Sequence, residues 1–241
     1  MKQVLRPTLV AAALIAALGV AGAGFAQSKQ ASQAAQPQVD KNKASYVVGV
    51  ELASQFPVWA RDMVDPNTVG QAVTATLKGQ KPPMSQEEAQ QVAQAFGEQM
   101  QAKFQQFYAK LAAQNKQEGD AYQAKNKTLA GVKTTSDGLQ YQVISQGNGP
   151  KPTASDTVQI NYTGSFVNGT VFDSSASHGS GPATIPLSQV VPGFREGLTL
   201  MPVGSHYKFV IPPDLAYGSQ PKNFPPNATL IFDVTLVKIG K

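Results

Sequence analysis

The chain has 241 residues, of which 41% are hydrophobic, and a formal net charge of +5 at pH 7. This length allows one large domain or two ordinary ones, and the moderate apolar content argues against a polytopic membrane protein. The lysines and arginines are scattered, so nucleic-acid binding is not expected. With no cysteine and only two histidines, the sequence argues against a thiolate nucleophile and a metal site, and it predicts no cofactor.

Residues 1–26 are typical of an export signal. Lys2 and Arg6 make a basic start, the apolar stretch that follows is too short to span a bilayer comfortably, and a small-residue cleavage pattern ends at Ala26. We therefore expect a periplasmic or secreted protein, without a membrane span in the mature chain and without a cysteine for a lipid anchor. Residues 27–38, rich in Gln, Ala and Ser, predict a flexible tether.

Residues 39–130 are predicted to form an all-α domain that begins with two short helices. In the first helix, apolar residues between Tyr46 and Ala53 recur at roughly helical spacing. The second helix begins at Asp65, an N-cap residue that is followed by Pro66 at the first helical position. Helices this short carry little apolar surface of their own.

A third helix is predicted from Ser85 to about Lys127, with a capping box formed by Ser85 and Glu88. One stripe of this helix is apolar and consists of Ala89, Val92, Ala93, Phe96, Met100, Phe104, Phe107 and Leu111. The stripe is either the core of a monomeric helical domain or the interface of a homodimer. We favour the homodimer, because two short helices cannot cover so long a stripe. Residues 115–127 are predicted to form a solvated helical spacer.

Residues 131–241 are predicted to form a second domain. Alternating apolar and polar residues predict strands near residues 139–143, 158–166, 205–211 and 228–239. A short helix that starts at Pro192 places Phe194 and Leu198 on one face. The predicted fold class is α+β: an antiparallel sheet of about five strands wrapped on one short helix, preceded by the all-α domain with its long helix.

One hairpin of this domain is predicted to bring three informative side chains together. Asn168 and Gly169 are a pair that tolerates the positive φ angles of a tight turn. The returning strand then places Phe172 and Asp173 beside Tyr162. The residues alone leave two interpretations open: the aromatic side chains are ordinary core residues, or the three side chains belong to a functional site.

Five motifs in the second half resemble those of the FKBP-type peptidyl-prolyl isomerases, the FK506-binding family. They are NYTG, NGTVFDSS, VVPGFREGL, IPPDLAYG and FPPNATLIFDV, and they occur in the family's order and spacing. The helical half resembles the N-terminal dimerisation domain of the macrophage infectivity potentiator subgroup of exported FKBPs. This second resemblance rests on KASYVVGVELASQ and on MSQEEAQ, and it is less specific.

The resemblance implies an isomerase that accelerates X-Pro isomerisation in exported proteins by stabilising the twisted amide without covalent chemistry. The catalytic residues would be Tyr162, Asp173 and Tyr217. The substrate-binding residues would be Phe172, Val190, Val191, Phe194, Phe224 and Phe232. The implied partners are proline-containing unfolded or exported polypeptides, FK506-like macrolides, and a second copy of the chain bound through the N-terminal helices.

The sequence departs from the family pattern in three places. Phe194 stands where Trp is common and would form the floor beneath the proline ring. Ala183 stands at a wall position that often carries an aromatic residue. Asn223 and Phe224 replace a pair that is usually more aliphatic. The alternative functions are a dimeric periplasmic holdase with a weak or silent proline-binding pocket, and a peptide-binding domain without catalysis.

Overall fold

The computed structural model describes residues 39–240, so the predicted signal peptide and tether lie outside the described residues. The chain divides into two compact units between Ser54 and Gln55. The first unit contributes helix α1, Lys41–Ser54, which buries none of its residues. None of the helices within residues 39–240 is at once long and apolar enough to cross a membrane.

The second unit begins with a 3-10 helix over Val58–Met63 that was not predicted. The predicted second and third helices follow as α2 over Pro66–Leu77 and α3 over Gln86–Asn126. Both predicted N-caps are present, since Asp65 Oδ1 accepts the Thr68 N–H at 2.7 Å and Ser85 Oγ accepts the Glu88 N–H at 3.1 Å. These bonds satisfy N–H groups that have no partner within the helix, which is why each helix starts where it does.

Part of the apolar stripe of α3 is covered within this unit. The Trp59 ring lies 5.5 Å from the ring of Phe104 and 6.1 Å from that of Phe107, measured between centroids. Farther toward the start of the helix, Val92 is 55% exposed. The 3-10 helix therefore contacts the stripe toward its C-terminal end, at Phe104 and Phe107, and the first turns of α3 keep exposed apolar surface.

The last turns of α3 differ from the solvated spacer predicted for residues 115–127. Gly119 and Asn126 are buried. The Asn126 amide donates to Gln140 Oε1 at 2.8 Å, and the Gln123 amide donates to Thr229 Oγ1 at 3.1 Å. The spacer prediction was wrong because this surface docks through small and polar side chains, which hydrophobic periodicity does not detect.

A seven-stranded antiparallel sheet forms the rest of the second unit, two strands more than predicted. The strands are β1 Val132–Thr134, β2 Gln140–Ser145, β3 Thr157–Phe166, β4 Val171–Ser174, β5 Ala183–Pro186, β6 His206–Ile211 and β7 Leu230–Ile239. Their order is β1-β2-β6-β7-β3-β4, with β5 paired to β3. The longest pairing joins β3 to β7, from Val158 opposite Ile239 to Phe166 opposite Leu230.

One helix, α4 over Pro192–Leu200, packs against this sheet. Pro192 occupies its first turn, and Phe194 and Leu198 are buried one helical turn apart, as predicted. Both belong to the same buried core cluster as Val158 and Ile160 of β3. The predicted α+β class, with a sheet around one short helix after a long-helix segment, is confirmed.

Candidate active site

The β3–β4 hairpin turns through a residue in the left-handed region. Gly169 has φ +86°, and its N–H donates to the Phe166 carbonyl at 2.9 Å. Asn168 does not share the positive φ that we predicted for the pair. Its side chain instead accepts the Thr170 N–H at 3.0 Å, so the asparagine stabilises the turn through a local hydrogen bond.

A bulge in the hairpin turns two consecutive side chains to one face. Ser165 pairs with Val171 and Gly164 with Asp173, which leaves Phe172 as the extra residue. In a regular strand, Phe172 and Asp173 would point to opposite faces. Here the Phe172 ring lies 5.6 Å from the Phe232 ring, on the same side as the Asp173 carboxylate. The bulge therefore allows both residues to join one site.

The absence of a side chain at Gly164 makes room for these rings. A Cβ built at this position would lie 2.7 Å from the Phe172 ring and 2.9 Å from the Phe232 ring. Distances this short cannot be accommodated unless one of the rings moves. The glycine of the NYTG motif therefore allows the two rings to meet over the backbone of β3.

The Tyr162 hydroxyl donates to Asp173 Oδ2 at 2.7 Å. Burial would by itself raise the pKa of the Asp173 carboxyl, but hydrogen bonds from Tyr162, His178 and the Ser174 N–H outweigh it and hold that pKa below its usual value. Burial, followed by the bond to Asp173, raises the pKa of Tyr162. The carboxylate is therefore ionised and the phenol protonated at neutral pH.

Two neighbours of this pair were not singled out by sequence reasoning. His178 Nε2 lies 2.8 Å from Asp173 Oδ1, because the 3-10 helix over Ser175–His178 folds back on the strand. Ser175 Oγ accepts the Tyr162 N–H at 3.1 Å. The only available signal was the serine-rich turn after Asp173, which does not specify these partners.

The inner part of the site is a set of nearly buried rings. The Phe194 ring stacks on that of Phe232 with centroids 4.3 Å apart, and the Tyr162 ring lies 6.3 Å from each of them. Phe194 is 4% exposed, Phe232 7% and Tyr162 8%. With Phe172, Phe224 and Tyr217 they form what we call the aromatic cluster. The three inner rings, which we call the base of the cluster, are almost inaccessible to solvent.

The outer part of the cluster is more open. The Phe224 ring lies 5.3 Å from Phe172 and 4.2 Å from Tyr217, and Tyr217 is 48% exposed. Tyr217 is also near enough to Tyr162 to contribute to raising the pKa of Tyr162. The cluster thus extends from a buried base at Phe194 to an exposed rim at Tyr217.

Val190 and Val191 are half-buried and pack against the core beside α4. The side chain of Arg195 holds this segment, since its Nε donates to the Leu187 carbonyl at 2.9 Å and its terminal nitrogen donates to the Val190 carbonyl at 3.2 Å. Sequence reasoning missed this role. The signal was a cation within the apolar first turns of a helix that packs on a core.

Of the nine predicted site residues, seven belong to the aromatic cluster or contact one of its members, and Val190 and Val191 lie directly before α4, the helix that carries Phe194. Ala183 also lies close by, because a cavity of about 460 Å³ beside Tyr162 is lined by Ala183, His178 and Gly181, among others. Among residues 39–240, no group of three or more His, Cys, Asp or Glu side chains could hold a metal ion. The arrangement provides apolar rings, one ionised carboxylate and phenolic hydroxyls, which together suit non-covalent recognition.

The lowered pKa of Asp173 predicts a pH-dependent contribution to stability. Because the unfolded chain takes up this proton first, the contribution is complete above the ordinary carboxyl pKa of about 4 and is lost as the pH falls below it. Urea unfolding of wild type and Asp173→Asn between pH 7 and pH 3 should show a wild-type advantage that shrinks toward acid. An advantage that stays constant or grows toward acid would contradict this electrostatic account.

Comparison with known proteins gives the same family over both halves. The model for FKBP-type peptidyl-prolyl cis-trans isomerase matches residues 149–237, and the model for the domain amino-terminal to FKBP-type peptidyl-prolyl isomerase matches residues 41–143. The outer membrane protein MIP of Legionella longbeachae is 37% identical over 224 residues, covering 92% of this chain and 95% of that protein.

Two further comparisons agree. The peptidyl-prolyl cis-trans isomerase Mip of Coxiella burnetii is 39% identical over 214 residues, covering 87% of this chain and 92% of that protein. The crystal structure of FkpA from Escherichia coli matches with a TM-score of 0.64 and 35% identity, covering 84% of this chain and 97% of that chain. The chain belongs to the FKBP-type peptidyl-prolyl cis-trans isomerases.

Proposed function

We propose that the aromatic cluster is the site at which this enzyme catalyses cis-trans isomerisation of X-Pro bonds in exported polypeptides. The observation that carries this proposal is the Tyr162–Asp173 hydrogen bond of 2.7 Å, set against the stacked rings of Phe194 and Phe232. Rotation about a peptide bond has a barrier of ~18–20 kcal/mol, because amide resonance is lost at the half-turned geometry. A site that binds the twisted amide more tightly than the planar one lowers this barrier without making or breaking a bond.

Each residue has a role in this proposal. The proline ring enters over Phe194 at the base, with Phe172, Phe224 and Phe232 as walls and Val190 beside them. The Val191 N–H orients one substrate carbonyl, and the exposed Tyr217 hydroxyl donates to another. The ionised Asp173, fixed by Tyr162, places negative charge near the carbonyl carbon of the turning bond. The nearly buried rings of Phe194 and Phe232 keep water away from the proline side of the amide.

Removing either member of the hydrogen-bonded pair should slow turnover. A hydrogen bond to a charged group contributes about 1.5–3 kcal/mol, so Tyr162→Phe and Asp173→Asn should each lower kcat/KM by roughly tenfold or more. The assay is protease-coupled isomerisation of a proline tetrapeptide by the full chain, with inhibition by FK506 as a second readout.

Tyr141→Phe is the matched control, because Tyr141 stacks on Tyr207 at 6.1 Å, outside the cluster, and loses the same hydroxyl. It should keep the wild-type rate. A wild-type chain that binds FK506 but accelerates nothing would instead identify a silent binding domain. A Tyr162→Phe rate equal to wild type would refute the catalytic role of the pair.

We further propose a homodimer through the N-terminal helices that also holds unfolded clients. The supporting observation is exposed apolar surface: Val69 of α2 is 47% exposed and Val92 of α3 is 55% exposed. A cleft of about 390 Å³ elsewhere on these helical segments is lined by Trp59 and Phe107, among others. Apolar surface of this kind usually marks an association site, and a client held near a weak catalytic site raises its local concentration.

Placing a charge on this surface should separate the two copies. Sedimentation equilibrium should give a dimer for wild type and a monomer for Val92→Glu, because the added carboxylate would have to be buried in the interface. Gln91→Glu adds the same charge next to the stripe and should leave the dimer intact. Light scattering of a denatured client should show less protection by Val92→Glu if the interface forms the holdase. A wild-type chain that is monomeric at all concentrations would rule out the proposal.

We propose that the chain is exported and acts in the periplasm or outside the cell. The supporting feature is the basic, apolar and small-residue pattern that ends at Ala26. Cleavage there would give a mature chain beginning at Gln27, which the mass of the protein recovered from exporting cells tests directly.

A further inference from the structure

The outer wall of the aromatic cluster is carried by an irregular segment. We call residues 218–229 the wall loop; it follows Tyr217, contains Phe224 and ends at β7. Within the loop, the Asn227 N–H donates to the Gly218 carbonyl at 2.9 Å. The stretch between these residues includes Pro221, Pro225 and Pro226, which have no N–H to donate. Contacts from outside the loop must therefore help to fix it.

Helix α3 supplies such contacts. Two asparagines, Asn115 on the helix and Asn227 in the wall loop, each donate a hydrogen bond to the other segment. The Asn115 amide donates to the Pro226 carbonyl at 2.8 Å. The Asn227 amide donates back to the Ala112 carbonyl at 3.2 Å. Residues 112 and 115 lie about one turn apart on the same face of the helix. We call this pair of bonds the asparagine clasp.

Directional bonds matter here because the junction is not closely packed. A cavity of about 290 Å³ lies beside the clasp and is lined by Leu111 and Asn115 of α3, Phe166 of β3 and Pro225 of the loop, among others. A gap of this kind removes the apolar contacts that would otherwise set the spacing between helix and loop. The hydrogen bonds of the clasp then help to set that spacing, together with the bonds from the Tyr108 hydroxyl to the Pro221 carbonyl at 3.4 Å and from the Gln123 amide to Thr229 Oγ1 at 3.1 Å.

Two properties of asparagine could matter at position 227: its tolerance of a positive φ angle and its side-chain amide. Asn227 has φ +53°, a conformation that glycine and asparagine adopt more readily than other residues. Glycine would satisfy this backbone requirement fully. The asparagine side chain adds only the amide that reaches α3. Asn227 therefore contributes a contact that the turn itself does not need.

We infer that Asn115 and Asn227 are positioning residues for the isomerase, which hold the Phe224–Tyr217 wall in place and thereby make substrate selectivity depend on α3. The inference rests on the proposed function of the aromatic cluster. Phe224 packs 4.2 Å from Tyr217 and 5.3 Å from Phe172, so a shift of the loop moves the rim and leaves the base at Phe194 in place. The residue that precedes proline in a substrate would then meet a different wall.

The test uses the full chain, three single variants, and the double variant that combines Asn115→Ala with Asn227→Gly. Asn115→Ala removes one bond of the clasp and keeps a good helix former. Asn227→Gly removes the other bond and keeps the positive φ. Gln114→Ala is the matched control, because the Gln114 amide is exposed on α3 and bonds Glu118 at 2.9 Å. Each variant thus loses one side-chain amide hydrogen bond.

The kinetic readout is the ratio of kcat/KM for Leu-Pro and Ala-Pro tetrapeptides. Both clasp variants should change this ratio by about fivefold, which corresponds to one hydrogen bond of ordinary strength, and the control should not change it. The double variant should differ little from either single one, because the two bonds hold the same loop. Equal losses for both peptides would mean a merely structural role and would overturn the inference.

Hydrogen exchange keeps the two proposals distinguishable. Amides of residues 218–229 should exchange faster in each clasp variant than in wild type and Gln114→Ala. If wild type shows no isomerase activity, the proposed function of the cluster fails and the exchange result still judges the clasp. Unchanged exchange in both clasp variants would overturn the clasp, whatever the activity.

Discussion

The hydrogen bond from the Tyr162 hydroxyl to the Asp173 carboxylate joins two neighbouring strands across a bulge. Without the extra residue in β4, Asp173 and Phe172 would lie on opposite faces of the sheet. If residue 164 carried a side chain, the Phe172 and Phe232 rings could not meet. The carboxylate is kept ionised by three donors that offset its partial burial. The result is a fixed negative charge beside aromatic rings that are nearly buried.

The other elements position surfaces around this bond. Helix α4 supplies the base at Phe194, and Arg195 ties the segment before it through two carbonyls. Helix α3 reaches the opposite wall through the asparagine clasp. An isomerase needs no nucleophile, so its catalytic power depends on how well such surfaces fit the half-turned amide. Contacts that position these surfaces, even far from the substrate, would then affect the rate of isomerisation.

Local chemistry explains what the sequence could predict. The caps at Asp65 and Ser85 and the proline at the start of α4 act on their own neighbours, so each was predictable to within a residue or two. The strand β3 was predictable for the same reason, although its alternation left open whether Tyr162 is a core residue or a site residue. Family resemblance then placed the rings near Asp173, which periodicity alone left undecided.

Contacts between distant residues could not be predicted in the same way. The bulge depends on the register of two strands, and the Asn115–Pro226 bond joins residues 111 positions apart. A polar, small-residue face such as that of Gly119 and Gln123 has the composition of a solvated helix, although it is docked. The asparagine in the turn was correctly identified, but its partner Gly169 alone takes the positive φ.

The proposed function depends above all on proline binding over the ring of Phe194 beside Asp173. Isotope-filtered NOE spectra of the labelled chain with a proline peptide test it most directly. We expect NOEs from the proline ring protons to the Phe194 ring. Proline NOEs confined to the Trp59 cleft, with none to Phe194, would contradict it.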